Sequence, residues 1–293
     1  MRFLTLSSIV VLLFGQAACV SDLAAEPAAR LSECEPIANV DSLVDTRLLL
    51  FGEIHGTSEA PRFVGEVVCH FANKGTSVIL ALEIPADLQR LVDNFLGSKG
   101  SGKVAAMRAI EAHPFWSASL ADGRSSIAMR NLLERINELR ASGQNVEVAL
   151  FDGNTNETLG GAEREKKLAA NIQSFVQRSG ANGKVVVLTG NLHSRATRGL
   201  PWNAEFEPAG YLLKELRPVT FDLAHAGGTA WNCTQDGCAV HPARASHLTR
   251  LPDAPPLGIY RSSGTPGHDG VYYVGEISPA TPVVARTTWD LKK

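Results

Sequence analysis

The chain has 293 residues, 44 % of them hydrophobic and 20 % charged, and its 28 Lys and Arg against 30 Asp and Glu leave a formal net charge of −2. That composition is ordinary for a globular protein with a substantial core, and it excludes a disordered or fibrous chain. No excess of basic residues and no basic stripe interleaved with aromatics occurs, so no nucleic-acid partner is expected.

Residues 1–19 read as a targeting segment: Arg2 supplies the positive start, Phe3 to Phe14 is an apolar run, and Ala17 and Ala18 precede Cys19. The run is too short to span a bilayer, which takes about 20 apolar residues. It resembles a bacterial secretory signal, and the small-residue pair before Cys19 resembles a lipoprotein cleavage site, although Gln16 stands where such sites carry an aliphatic residue. Cleavage near Ala25 is the alternative. The expectation is an exported protein, periplasmic or tethered to the cell envelope through a lipid on Cys19. Residues 20–42 lack periodicity and are expected to form an irregular arm, leaving 43–290 for the main domain. Export leaves Cys34, Cys69, Cys233 and Cys238 where disulfides persist. Of the three pairings four cysteines allow, proximity favours Cys233 with Cys238, closing Thr234 to Gly237 as a hairpin tip, and so Cys34 with Cys69. No second close cysteine pair exists to complete a thiolate zinc site.

The first strand is expected over Arg47 to Phe51, because the run is short, apolar and followed by glycine. Thr57 to Asn73 has helical spacing at Phe63, Val67, Val68 and Phe71, with Thr57 or Ser58 as cap. Ser77 to Leu82 is a second buried strand. Pro85 then suits the first turn of a helix to about Leu96. From Gly97 to Arg124 the pattern weakens around a short helix, Lys103 to Glu111, and the cluster His113-Pro114-Phe115-Trp116, which reads as an excursion over a crevice mouth. Ser125 to Ala141 is helical, Val146 to Phe151 a strand, Ala162 to Gln177 a crossover helix, and Lys184 to Thr189 another strand. Val219 to Leu223 and Tyr272 to Val274 read as later strands in a β-rich, irregular C-terminal part. The fold class is therefore α/β, a single domain with a largely parallel central sheet flanked by helices.

Parallel pairing with right-handed crossovers puts every strand's C-terminal end on one edge of the sheet, where open α/β sheets bind ligands. Four strands end there on chemistry: Gly52-Glu53-Ile54-His55 after the first, Glu83 after the second, Asp152 after the third and Gly190-Asn191-Leu192-His193 after the fourth. A polar residue after an apolar run often marks only the exit from the core. Two imidazoles and two carboxylates together, in place of the usual Gly, Pro, Ser and Asn, can hold a metal ion or move protons. Glu53 has two readings, a partner that holds the His55 tautomer or a cap on the next helix. Glu59 falls in a first helical turn, where helix electrostatics accounts for it, and is otherwise a substrate contact. Arg195 and Arg198 can bind an oxyanion of a substrate or pair with Asp152 or Glu83. His70 lies mid-helix, His225 follows a late strand, and His113, His241, His247 and His268 fall in loops with no identifiable partner, so packing accounts for each.

The run FGEIHGTSEAPRF (Phe51 to Phe63) followed by ALE (Ala81 to Glu83) resembles the opening of the erythromycin esterase family, whereas GNLHSRATRGLP (Gly190 to Pro201) resembles ChaN-type haem-binding lipoproteins. Both belong to one superfamily with the Tiki/TraB metalloproteases, marked by two GxxH motifs. His268 to Pro282 resembles the family's closing strand. The esterase resemblance implies a hydrolase of an ester, lactone or amide, with His55 as general base, Glu53 and Glu83 orienting water, and His193 stabilising or binding a small-molecule or peptide substrate. The metalloprotease resemblance implies His55, Glu83 and His193 as metal ligands. Such a mixed nitrogen and oxygen set suits zinc, manganese or cobalt, and a bound metal would bring water to a pKa of about 7. The ChaN resemblance implies haem or iron binding, with Tyr211, Tyr260, Tyr272 or Tyr273 as the iron ligand. The chain is shorter than typical erythromycin esterases and has one residue, not two, between glutamate and histidine in its first motif.

Overall fold

Nearly continuous burial on both faces explains why four of the strands read as unbroken apolar runs and do not alternate. In a computed structural model that describes residues 33–117, 122–155, 157–235, 237–262 and 264–283, these are β1 (Leu48–Glu53), β2 (Val78–Pro85), β3 (Val146–Asp152) and β4 (Lys184–Gly190). They are followed by β5 (Val219–Ala224), the hairpin β6 (Gly228–Thr234) and β7 (Gly237–Ala243), then β8 (Gly258–Arg261) and β9 (Gly270–Tyr273). Seven of them form one sheet in the order β3-β2-β4-β1-β5-β9-β8, parallel throughout except for β8 against β9. The expected α/β fold with a largely parallel sheet is thus the one observed. The export segment, Cys19 and the start of the arm lie outside the described residues. No helix among the described residues is long and apolar enough to cross a membrane.

Helix α1 (Glu59–Asn73) joins β1 to β2, and α2 (Gln89–Gly97), α3 (Ser101–Glu111), α4 (Pro114–Ser117) and α5 (Ile127–Ala141) lie between β2 and β3. Helix α6 (Gly161–Arg178) joins β3 to β4, and the short α7 (Ala209–Leu212) precedes β5. The chain steps from β1 outward to β3, then turns back through β4 to β5. With right-handed crossovers this reversal sends the helices to opposite faces. Accordingly Val64 and Val67 of α1 and Leu133 and Ile136 of α5 share a core with Leu49, Phe51, Leu80 and Leu82. Leu168, Ile172 and Val176 of α6 share a second core with Leu48, Leu50, Val185 and Val187. Each such fully buried side chain contributes about 1.5–3 kcal/mol of transfer free energy. The reversal falls between β1 and β4, neighbours whose exits diverge to opposite faces and so open a crevice.

Several local features differ from the sequence expectation. Pro85 ends β2, where its Cα pairs with Asp152, and does not open a helix; a 3₁₀ turn, Ala86–Leu88, intervenes. Neither Thr57 nor Ser58 caps α1 with its side chain, since Thr57 turns back to the Ile54 carbonyl and Ser58 makes no capping bond. The described part of the arm is tied down, since Ala38 bridges Gly258 and Asn39 donates to the Ile259 carbonyl, and just past it the buried ammonium of Lys184 donates to the carbonyls of Leu43, Val44 and Thr46. Both expected disulfides are present, Cys34 with Cys69 and Cys233 with Cys238, the latter joining opposed residues of the β6–β7 hairpin.

Candidate active site

β1 and β4 stand side by side, and their exits carry the two histidines. His55 follows β1 in a loop held by its own backbone: the Gly56 carbonyl accepts from the amides of both Trp231 and Ala280. Gly56 has a positive φ of 77°, and a Cβ there would fall 1.7 Å from the Trp231 carbonyl oxygen, so only glycine admits the hairpin so closely. Glu53, buried at the end of β1, reaches Nδ1 of His55 at 2.9 Å. Of the two partners weighed for Glu53, the contact is with His55. On the far side His193 places Nδ1 2.6 Å from Glu165, a buried carboxylate of α6. Nε2 of His193 lies 2.9 Å from Nη1 of Arg164, and a guanidinium can only donate. The proton of neutral His193 consequently sits on Nδ1, facing Glu165.

Glu83 occupies the middle. The β2–β3 register shifts between Leu82 and Pro85, and this bulge carries Glu83 out of regular pairing. Its carboxylate accepts from Thr189 Oγ1 at 2.6 Å and from the Gly190 amide at 2.8 Å, both from the end of β4. Two guanidiniums complete it, Arg164 at 2.7 Å and Arg124 at 3.2 Å. The Nε2 atoms of His55 and His193 each stand 3.8 Å from one of its oxygens. Asp152 shares the same cations, at 2.6 Å from Arg124 and 2.9 Å from Arg164. Arg124 also pairs with Asp122 and lies 5.9 Å from the ring centre of Phe115, which ties the excursion to the crevice. The two imidazoles keep 21 % and 18 % of their side-chain surface exposed, against 3 % for Glu83.

The electrostatics follow from burial set against these partners. Burial raises the Glu53 carboxyl above its ordinary range, with the His55 hydrogen bond acting against it. Burial also disfavours imidazolium at His55, but the bond to Glu53 and the negative charges of Glu83 and Glu53 outweigh it, leaving its pKa above the usual histidine value. Glu83 is buried too, yet the charges of His193, His55, Arg124 and Arg164 hold it well below the carboxylate range. At neutral pH it is an anion held between two guanidiniums.

All four expected catalytic residues, Glu53, His55, Glu83 and His193, meet here together with Asp152. Glu59, Arg195 and Arg198 have their contacts elsewhere. Glu59 accepts from the amide and hydroxyl of Ser278, and Arg198 pairs with Glu205 and Glu207. Arg195 lies over Gly267 and donates to the Pro266 carbonyl. Arg124, Arg164, Glu165 and Thr189 are site residues that the sequence reading did not single out.

The arrangement bears on the expected metal ligands. The lone pairs His55, Glu83 and His193 would offer a cation are in large part taken: Glu83 is hydrogen-bonded by two guanidiniums, a hydroxyl and an amide, and Nε2 of His193 by Arg164. A divalent ion here would have to displace fixed positive charge, so the donor set does not fit one. Among the described residues, the cluster of donors within mutual ligating reach is Cys34, Glu66 and Cys69, whose cysteines are joined to each other. Of the tyrosines weighed for haem, Tyr272 is buried with its hydroxyl on the Gly52 carbonyl, and Tyr260 donates to the Pro256 carbonyl.

The chain shares its fold with solved structures. It is similar to an erythromycin esterase, EreC, solved as a mutant in an open conformation, with a TM-score of 0.59 and 13 % identity over 83 % of this chain and 94 % of that one. A Bacillus cereus protein matches comparably, with a TM-score of 0.57 and 12 % identity over 84 % of this chain and 94 % of that one. At these identities the likeness is one of fold. No protein-family model and no curated protein matches the chain by sequence.

Proposed function

We propose that the protein is a metal-independent hydrolase of an ester, lactone or amide bond, with water activated by the His/Glu centre. One observation carries the reading: each of two imidazoles is held at Nδ1 by a buried carboxylate while its Nε2 points into a partly exposed crevice around Glu83. A carboxylate on Nδ1 fixes the tautomer with its proton there; at His55 this leaves Nε2 free to take a proton, whereas Nε2 of His193 accepts from Arg164. The fold shared with an erythromycin esterase is in keeping with this reading.

His55 is the base. Its Nε2 takes a proton from water as the water oxygen bonds to the carbonyl carbon, and the same nitrogen returns the proton to the leaving oxygen or nitrogen as the tetrahedral adduct collapses. Arg164, with His193 behind it, and Arg124 are the donors nearest the developing oxyanion, where one well-placed donor is worth about 3–4 kcal/mol. Glu83 fixes both guanidiniums in place and is not itself a proton carrier, because its charge is too strongly stabilised.

A panel of aryl esters, lactones and peptides, assayed with and without a chelator after metal removal, tests the reading. Turnover unaffected by the chelator is expected. Turnover that disappears with the metal returns the ligand set His55, Glu83 and His193 to consideration. A haem absorption band that grows to one equivalent, with no turnover of the panel, favours the binding-lipoprotein alternative.

A further inference from the structure

Behind the crevice lies a buried polar network that this chemistry does not use. Ser194, the neighbour of His193, is fully buried, and its hydroxyl is 2.9 Å from Nε2 of His268 and 3.1 Å from the carbonyl oxygen of Asn191. His268 is buried as well, with Nδ1 3.3 Å from the Pro266 carbonyl and 4.0 Å from Asp222. Asp222 meets Nε2 of His247 at 3.0 Å. The residue types are those of a nucleophilic triad. Ser194 nevertheless has no exposed surface, and Asp222 is beyond hydrogen-bonding distance of His268, so the set is a brace and not a second reaction centre.

The brace sits where it can set the geometry of His193. Gly52 makes room for it, since a Cβ there would fall 2.2 Å from the Ser194 hydroxyl oxygen. The same turn is pinned by its backbone: Gly210 donates to the His193 carbonyl at 2.8 Å, and Ala196 to the Gly267 carbonyl at 2.7 Å. Buried polar groups that are all paired select one arrangement, because any displacement strands a donor or acceptor away from water.

We propose that Ser194 and His268 are positioning residues for His193, their hydrogen bond locking the turn after β4 so that the His193 imidazole meets Glu165 and Arg164 in one orientation. The kinetic part of this inference rests on the hydrolase reading; the geometric part does not. The single Ser194 proton goes to the Asn191 carbonyl, so Nε2–H of His268 donates to the Ser194 oxygen, and the pair needs a donor at residue 268 and a hydroxyl at 194.

The test compares Ser194→Ala, His268→Phe and His268→Gln by steady-state kinetics and by imidazole ¹⁵N NMR of His193 in the full chain. Ser194→Ala and His268→Phe should lower kcat about tenfold with KM unchanged, since reacting groups shift while substrate contacts stay. In both, His193 should lose its single Nδ1–H signature, and His268→Gln, whose amide retains a donor, should recover most of kcat and that signature. Should His268→Phe fail to fold, Ser194→Ala decides, because it removes one oxygen. Wild-type kcat and wild-type His193 signals in Ser194→Ala would overturn the proposal, as would equal losses in His268→Phe and His268→Gln. If the wild-type protein turns over no substrate, the hydrolase reading fails and the His193 signals alone decide the brace.

Discussion

Nε2 of His55 lies 3.1 Å from the point that a Cβ on Gly190 would occupy, so the glycine of the second motif leaves room for the histidine of the first. The relation is reciprocal, because a Cβ on Gly52 would collide with Asn191 inside the second motif and with Ser194 just after it. The two runs interlock across the β1–β4 pair, and their glycines are needed for mutual access more than for backbone freedom. Gly190→Ala should therefore press on His55 and on the His193 ring, whose Cδ2 is 3.4 Å from the same point. A displacement of well under 1 Å should lower kcat about 10- to 100-fold with little loss of thermal stability. Steady-state rates alongside thermal melts check it.

Glu83 holds the centre together electrostatically. In Glu83→Gln two guanidiniums lose the more deeply buried of the two anions they share, and the expected loss is about 3–5 kcal/mol of stability. Asp152→Asn should cost less, because Asp152 is the more exposed of the two carboxylates, at 11 % against 3 % for Glu83. The sign in pH follows from the lowered pKa of Glu83: its contribution is present above the unfolded value of about 4.3 and is lost as pH falls through the depressed folded value. Denaturant melts of both variants between neutral and acid pH measure the difference, and equal stability of Glu83→Gln and wild type would contradict it.

The rate should report the His55–Glu53 pair. A base must be unprotonated, and His55 titrates above its usual value of about 6.5, so kcat/KM should climb with pH along a limb centred above that value. Glu53→Gln takes away the hydrogen-bonding anion that raises His55, and it should move the limb to lower pH while reducing the plateau. A limb unmoved by this substitution would exclude Glu53 as the partner that sets the base. Linkage gives the converse for folding: the stability contributed by His55 with its carboxylates is present below about 6.5 and lost as pH rises through its raised value.

The disulfides should differ in their contributions. Chain-entropy reasoning assigns about 4 kcal/mol to Cys34–Cys69, with a sequence separation of 35, and about 2 kcal/mol to Cys233–Cys238, with a separation of 5. Cys34→Ser/Cys69→Ser should accordingly lower the denaturation midpoint more than Cys233→Ser/Cys238→Ser. The reverse order in equilibrium unfolding would show that native packing, and not loop closure, decides.

Much of this was legible in the chain because burial on both faces leaves a strand no choice of pattern. The runs at Leu48, Val78, Val146 and Lys184 could only be core strands, and right-handed crossovers then carried Glu53, His55, Glu83, Asp152 and His193 to one rim. Glu165 was legible in principle: it sits on the apolar stripe of α6, with Leu168, Ala169 and Ile172 at i+3, i+4 and i+7, and a carboxylate there needs a buried partner. Arg124 had no such signal. It arrives from an irregular excursion that comes within van der Waals contact of the His55 loop only because Gly123 and Gly56 lack side chains. Arg195 and Arg198 looked plausible from proximity in sequence, but their loop turns away after Ser194, and local carbonyls and carboxylates take them up.

The central claim is that the two imidazoles act together around Glu83 without a metal. It is tested most directly by kcat/KM of metal-stripped wild type, His55→Asn and His193→Asn on one ester that the wild type hydrolyses. The account predicts full activity in the stripped wild type and losses of about 100-fold or more in each variant, with folding intact. Wild-type kcat/KM in either variant, or activity that returns only on adding a divalent ion, would contradict it.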